Sequence, residues 1–183
     1  MYSLVKWSPD LDLTDFYAEA DRRGFVNNSN QQMLVDSLTK EHNWCVWILY
    51  YNNIAVGSVG AHSLPELGPN AYRICVRTCV FTDLLPYHQL RALNYTIKKH
   101  QNITAQFFIP ACIEWAKDAD LYISSHPSDI GTQRLVHKIY CPALVETGAL
   151  EHTCEIKYRG HVQTFWKLNV DVFYEQLNQL ARW

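Results

Sequence analysis

Residues 44–64 read WCVWILYYNNIAVGSVGAHSL, and the fold depends on how this stretch divides. Trp44 to Tyr51 is aromatic and β-branched, the composition a strand favours. Asn52-Asn53 makes a tight turn, because asparagine tolerates positive φ. Ala55 to Leu64 then returns as a partner strand, with Gly57 and Gly60 allowing close approach or a bulge. Two prolines and a glycine make Pro65 to Asn70 a loop. Residues 72–82, YRICVRTCVFT, form the longest strand candidate. Three strands with short links read as an antiparallel meander. Thr104 to Lys117 follows as a helix presenting Phe107, Phe108, Ala111, Ile113 and Trp115, with Pro110 expected to kink it or shift its start. Leu121 to Ser125 is a short buried strand. It is expected to lie parallel to Tyr72–Thr82, since a helical crossover joins them.

The flanks add helices. Ser3 to Trp7 reads as an opening strand. Thr14 is the expected N-cap of a helix Asp15 to Arg23 that stops at Gly24. Ser29 and Gln32 have capping-box spacing for a second helix, to about Glu41, with Leu34 and Leu38 on one face. After the Leu121–Ser125 strand, Thr132 to Val145 reads as a helix, interrupted by Pro142 and ended by Gly148. Cys154–Tyr158 and Val162–Leu168 form a hairpin around Arg159-Gly160. Val170 to Trp183 is an amphipathic helix burying Val172, Phe173, Leu177 and Leu180.

The chain has 183 residues, 48% hydrophobic and 19% charged, which suits one folded domain, 1–183, with a real core. A net charge of -2 gives no global attraction to nucleic acid or anionic membrane. Aromatic residues are not interleaved with basic ones, as base stacking would need. No apolar run reaches the roughly 18 residues of a membrane span. Met1 to Asp10 lacks a cationic flank followed by an apolar core. The expectation is a cytoplasmic protein with no membrane or nucleic-acid partner. The six cysteines contain no Cys-x-x-Cys pair and read as buried free thiols. Cys75 and Cys79 are expected on one strand face, too far apart for a disulfide. The eight histidines show no ligand spacing, so no metal is expected.

The order β-α-α-β-β-β-α-β-α-β-β over about residues 3–168 resembles the GNAT acetyltransferase superfamily. The best local match is Thr132 to Leu168, where Tyr140 and Gly148 stand as a helix tyrosine and a turn glycine do in the family. The resemblance implies an α/β fold with a mixed, mostly antiparallel central sheet flanked by helices. It also implies acetyl-CoA held between two splayed parallel strands. Pantetheine would pair with the backbone of Val80 and Phe81. The pyrophosphate would rest on amides that open the next helix, where unpaired donors favour anions. The family's phosphate loop reads Arg or Gln, two residues, Gly, one residue, then Gly or Ala. This chain has no glycine between Gly68 and Gly131. The nearest match is Gln101-Asn102-Ile103-Thr104-Ala105-Gln106, with Thr104 and Gln106 replacing the small residues. Shifting by two gives Lys99 to Thr104, with Asn102 able to turn left-handed. Some fifteen extra residues, Leu84 to Lys98, precede this helix.

By its position in the resemblance, Tyr140 is the candidate acid for the departing thiolate. Lys98, Lys99 and His100 could meet phosphates or form a solvated helix end. His126 follows a strand end, where active residues often stand. Arg73 and Arg77 would share a strand face, binding an anionic ligand or marking a solvent face. Glu66 and Asp83 lie near strand ends, without further features of a base. Two functions follow. One is an acetyl-CoA-dependent N-acyltransferase acting on a small-molecule or protein amine. The other is a non-catalytic GNAT-like binding or structural module, as in some phage proteins. Fold alone does not choose between them.

Overall fold

The computed structural model describes residues 1–36, 38–39, 43–85, 103–124 and 148–180. Among these, seven strands form one sheet: β1 (Tyr2–Lys6), β2 (Trp44–Tyr51), β3 (Ile54–Ser63), β4 (Ala71–Val80), β5 (Asp120–Ser124), β6 (Leu150–Tyr158) and β7 (His161–Leu168). Their order is β1-β2-β3-β4-β5-β7-β6. All neighbours are antiparallel except β4 and β5, which run parallel. The meander and its parallel partner are those expected from residues 44–125. Both tight turns form as their residues dictate. Asn52 and Asn53 have φ of 49° and 64°, and Arg159 and Gly160 have 50° and 85°, the pairing that suits the twist of a hairpin.

Two faces of the sheet carry different helices. Face one takes α3 (Ile109–Trp115) and α4 (Val170–Leu180). Phe108, Ile109, Cys112 and Ala116 pack there with Trp47, Leu49, Val59, Ile74, Val80, Leu121, Ile123 and Phe173. Full burial of one such side chain stabilises by about 1.5–3 kcal/mol. Trp115 meets Trp47 and Tyr72 edge-on, with centroids 6.0 and 5.4 Å apart, the geometry ring quadrupoles favour. Face two takes α1 (Thr14–Arg22) and α2 (Gln31–Val35). There Phe16, Ala20, Leu34 and Leu38 cover Val46, Ile48, Cys79 and Phe81.

The helix caps differ from the expectation in detail. Thr14 is the first residue of α1, and its amide donates to Asp12 Oδ1 at 3.1 Å. The Asp12 carboxylate, not the Thr14 hydroxyl, therefore satisfies an early donor. Asn30 caps α2 by accepting from the Met33 amide at 2.8 Å, one residue beyond the Ser29 proposed from the capping-box pattern. Gly24 ends α1 as expected, with φ of 77°. Its amide donates to Asp21 and that of Phe25 to Ala20, a complete Schellman motif. The α2 helix ends at Val35, well short of Glu41, which lies outside the described residues.

Strand β4 is irregular. Ser58 pairs with Cys79 but Gly60 with Val76, and His62 pairs with Arg73. In each interval β4 carries one residue more than β3, so it holds two β-bulges. Cys75 and Arg77 take positive φ of 59° and 53°, a conformation L-residues reach only at a cost. The Arg77 carbonyl accepts from Asn28 Nδ2 at 2.9 Å and Ser58 Oγ at 2.9 Å. The Cys75 carbonyl accepts from Thr78 Oγ1 at 2.7 Å. The bulges overturn the expectation that Cys75 and Cys79 share a face. Cys75 packs on face one and Cys79 lies in the face-two core, because the extra residues break the two-residue alternation.

An ion network locks α1 onto the end of β4. The Arg23 guanidinium donates to Glu19 Oε1 at 2.5 Å, and to Asp83 Oδ1 and, at 2.8 Å, Oδ2. It also lies over the Phe81 ring, 4.9 Å from the centroid. Hydrogen bonds from Arg23 hold the Asp83 carboxyl down at about 2, and those from Arg22 and Arg23 hold Glu19 at about 2.

Two predictions follow from this packing. A Cβ built on Gly57 would stand 2.7 Å from the Cys79 carbonyl oxygen, a backbone atom. Gly57→Ala should therefore destabilise by about 1–3 kcal/mol, read as a lower urea midpoint with an unchanged slope; a wild-type midpoint would contradict the close approach of β3 and β4. The second concerns pH. Both carboxyls are depressed on folding, so their stabilisation is present above their ordinary values of 3.8 and 4.5 and lost as pH falls towards about 2. The melting-temperature gap between wild type and Arg23→Gln should be widest above those values, shrink with salt and close near pH 2. A gap of the same size at pH 2 would show that Arg23 acts through packing instead.

Candidate functional site

The parallel pair β4–β5 is joined only at Ala71↔Asp120, Tyr72↔Leu121 and Arg73↔Tyr122. Beyond that point β4 continues to Val80, while Ile123 and Ser124 of β5 pair with Trp166 and Phe165 of β7. No described strand pairs with the β5-side edge of β4 past Arg73, which leaves an edge able to receive an extended ligand as an added strand. The Phe81 amide points the other way, donating to the Val56 carbonyl at 2.8 Å, and its ring is fully buried. Antiparallel alternation turns the backbone groups of the preceding residue, Val80, towards the open edge. Of the expected pair, only Val80 offers its backbone there.

On the helix side, Ile103 already has helical dihedrals (φ -59°, ψ -44°). Ile103 and Thr104 turn their side chains inward, at 1% and 5% exposure, and Ala105 packs against the face-one core. Residues Thr104–Phe108 form a π-helical turn that leads into α3. Pro110 accounts for it. Proline cannot donate to the carbonyl four residues back and its ring crowds that carbonyl, so a wider turn relieves both problems. As expected, the proline shifts the start of the regular helix: α3 begins at Ile109 with Pro110 in its first turn, after the π turn. Lys99, Gln101, Asn102 and Tyr140 lie outside the described residues, as do Lys98, His100 and His126.

The remaining candidates sort by environment. Asp83 is held by Arg23, and a carboxyl held at about 2 is a poor proton acceptor near neutrality. Glu66 sits on the exposed turn between β3 and β4. Three buried thiols are unreactive in kind. Burial pushes Cys45 and Cys79 up to about 11 and Cys112 to about 12, so none is a thiolate near pH 7. The described cysteines are free, as expected, and no metal-ligating cluster occurs among the described residues.

Face two holds a feature the sequence only hinted at. Its apolar packing is split into the cluster under α1 and α2 and a second one around Leu64, Ala71, Tyr122, Tyr158 and Phe165. Between them runs a polar strip: His62, Arg73, Ser124 and Gln163, with Arg77 beside it. His62, Ser124 and Gln163 are 1%, 8% and 2% exposed. Gln163 Oε1 accepts from Arg73 Nη2 at 3.5 Å and Ser124 Oγ at 3.4 Å, both at the long limit of a hydrogen bond. Arg73 keeps some exposed surface as a residue, yet its Nε is shut off from solvent and has no hydrogen-bond partner. Its guanidinium lies 5.3 Å from the Tyr158 centroid, and that of Arg159 lies 5.2 Å from the same ring. His62 stacks on Tyr158 at 6.3 Å. Burial lowers the Arg73 pKa, and the charges of Arg159 and Arg77 add to this against the pull of Tyr158. Burial and Arg159 lower Arg77, with Asp36 opposing. The sequence reading missed Gln163, Tyr158 and His62; the available signal was a glutamine at an inward position of the alternating run His161–Leu168.

By sequence, no protein-family model and no curated protein matches the chain. Solved structures do. The aminoglycoside acetyltransferase AAC(6')-Ib in complex with coenzyme A superposes with a TM-score of 0.56 at 13% identity, over 97% of this chain and 99% of that one. The same enzyme with coenzyme A and kanamycin gives 0.56 at 12% identity, with the same coverage. A GNAT-family protein from Desulfovibrio desulfuricans gives 0.52 at 13% identity, over 93% and 99%. Together with the strand order and the single parallel pair, these likenesses show that the chain has the fold of the GNAT acetyltransferases.

Proposed function

We propose that the protein is an acetyl-CoA-dependent N-acyltransferase acting on a small-molecule or protein amine. The observation that carries this reading is the β4–β5 pair, paired for three residues and then, among the described residues, without a strand partner along β4 up to Val80. That edge fits the amide-rich pantetheine arm, which can pair as an added strand. The helix that follows supplies the other half, with its opening at or before Ile103 directed to the pyrophosphate. Lys99, Gln101 and Asn102 are the residues of this chain assigned to that contact, while Ile103, Thr104 and Ala105 anchor the helix to the core. Acetyl-CoA, when bound, supplies an activated thioester: the acyl carbon joins the amine nitrogen, the carbon–sulfur bond breaks, and one amine proton ends on sulfur. Tyr140 is the residue assigned to hold that proton.

One observation favours the non-catalytic alternative. The side chains of Ile103 and Thr104 are inward and no glycine precedes them, so the backbone access that a phosphate needs is narrower than glycine would give. Titration with acetyl-CoA under thermal unfolding separates the two readings. At a hundredfold excess over its dissociation constant, acetyl-CoA should stabilise by about 2.7 kcal/mol, and 3′,5′-adenosine diphosphate, which lacks pantetheine, by less. No shift at millimolar acetyl-CoA would establish the binding-module reading. Tyr140→Phe should lower turnover at least about tenfold, the lower side of general acid catalysis, with acetyl-CoA affinity nearly unchanged. Full turnover in the Phe variant would remove Tyr140 from the chemistry.

A further inference from the structure

Among the described residues, the polar strip on face two leaves the Arg73 guanidinium poorly matched. Arg73 donates to Gln163 at 3.5 Å, its Nε has no partner, and no described residue forms an ion pair with it. Arg77 and Arg159 are close enough to oppose its charge, and Asp36 at the α2 end acts on Arg77. A largely desolvated cation with no counter-ion among the described residues is costly to hold. The guanidinium is a planar fork built for two-point contact with carboxylate or phosphate oxygens. Placement adds to the argument. Arg73 is the last β4 residue paired with β5, so it marks where the edge of β4 opens. Its neighbours Tyr158 and Gln163 lie on the face opposite α3.

We infer that the strip formed by Arg73, Gln163 and Tyr158, with Arg77 and Arg159 at its margin, is an anion-binding site that holds a carboxylate or phosphate group of the amine acceptor. The inference rests on the acyltransferase reading for the word acceptor, and, for the word anion, on a guanidinium whose Nε is shut off from solvent without a partner and which has no counter-ion among the described residues. It specifies a substrate class: a compound carrying both an amine and an acidic group. Polycationic amino sugars fall outside that class, because their ammonium groups would meet three guanidinium groups.

The probes are L-glutamate, O-phosphoethanolamine and kanamycin, added to the full chain during thermal unfolding and then used as acceptors with acetyl-CoA. One or both acidic amines should raise the unfolding midpoint of the wild type, and kanamycin should not. A response confined to L-glutamate identifies carboxylate, and one confined to O-phosphoethanolamine identifies phosphate. Arg73→Gln should weaken that response at least tenfold, with Arg73→Lys intermediate because it keeps the charge and loses the fork. Arg159→Asn, at an exposed turn position with φ of 50° that asparagine tolerates, should weaken it without threatening the fold. In turnover, Arg73→Gln should raise KM for the acidic amine at least tenfold while acetyl-CoA affinity stays within twofold. An equal anion response in wild type, Arg73→Gln and Arg159→Asn would overturn the proposal, as would kanamycin proving the preferred acceptor. The two readings fail separately. Stabilisation by acetyl-CoA with none by either acidic amine sinks the anion site alone. Arg73-dependent anion stabilisation with no effect of acetyl-CoA sinks the acyltransferase reading and leaves the anion site standing.

Discussion

The carbonyl of Arg77 accepts from both Asn28 and Ser58, and much of the molecule depends on that junction. It holds a left-handed residue in the middle of a strand, a conformation that costs of order 1–3 kcal/mol for a side chain other than glycine. Cys75 repeats the device two residues earlier. Asn28 is 3% exposed and Ser58 fully buried, and although Asn28 also donates to Ser58 at 2.7 Å, each would lose a buried hydrogen bond if the Arg77 carbonyl turned away, which favours the bulged strand. The result is a strand that changes phase twice, turns Cys75 and Cys79 to opposite faces, and parts from β5 after three paired residues.

This explains what was legible in the sequence. Local chemistry was readable: Asn52-Asn53 and Arg159-Gly160 sit in the left-handed turns their residues favour, and Gly24 closes a Schellman motif. The meander and the parallel partner followed from short links and one helical crossover. The bulges were not readable, because their cause is distant. Asn28 reaches across nearly fifty positions to Arg77, and nothing near Arg77 announces it. Strict alternation therefore misplaced Cys75. The caps failed for a smaller reason. Ser29, Asn30, Asp12 and Thr14 are all competent cap residues, and which one is used depends on the entry angle of the chain. At the site, Val80 and Phe81 were both expected to face a ligand, whereas the Phe81 amide donates to Val56 of β3, since a backbone's direction follows from its register. The polar strip depends on side chains from β3, β4, β5 and β7 meeting in space, and no linear pattern encodes that.

Two arginines show how context sets the meaning of one residue type. Arg23 spends its donors on Glu19 and Asp83 at the surface, where water screens the pairs and each contributes little. Those pairs tie the end of α1 to the end of β4, with the guanidinium over the Phe81 ring. Arg73 lies deeper, against Tyr158 and Gln163, with contacts at the outer limit of hydrogen bonding. Depth magnifies every electrostatic term and leaves an unmet donor expensive. The first arginine is a fastening, while the second has no counter-ion among the described residues and stands where β4 leaves β5.

A cheaper solution for the fold alone is easy to name. An apolar side chain of similar length at position 73 would join the two face-two clusters into one continuous core, and exchanges of buried charge for well-packed apolar groups are often neutral or stabilising. The same holds for Gln163, whose three contacts of 3.4–3.5 Å do little to offset its burial. Both residues interrupt apolar packing near the point where β4 leaves β5. Folding gives no reason for a guanidinium, a buried amide and a tyrosine ring to coincide with the opening of that edge. A bound group that brings its own negative charge does give one. It would satisfy Nε, shorten the slack contacts and convert the cost of burying Arg73 into affinity.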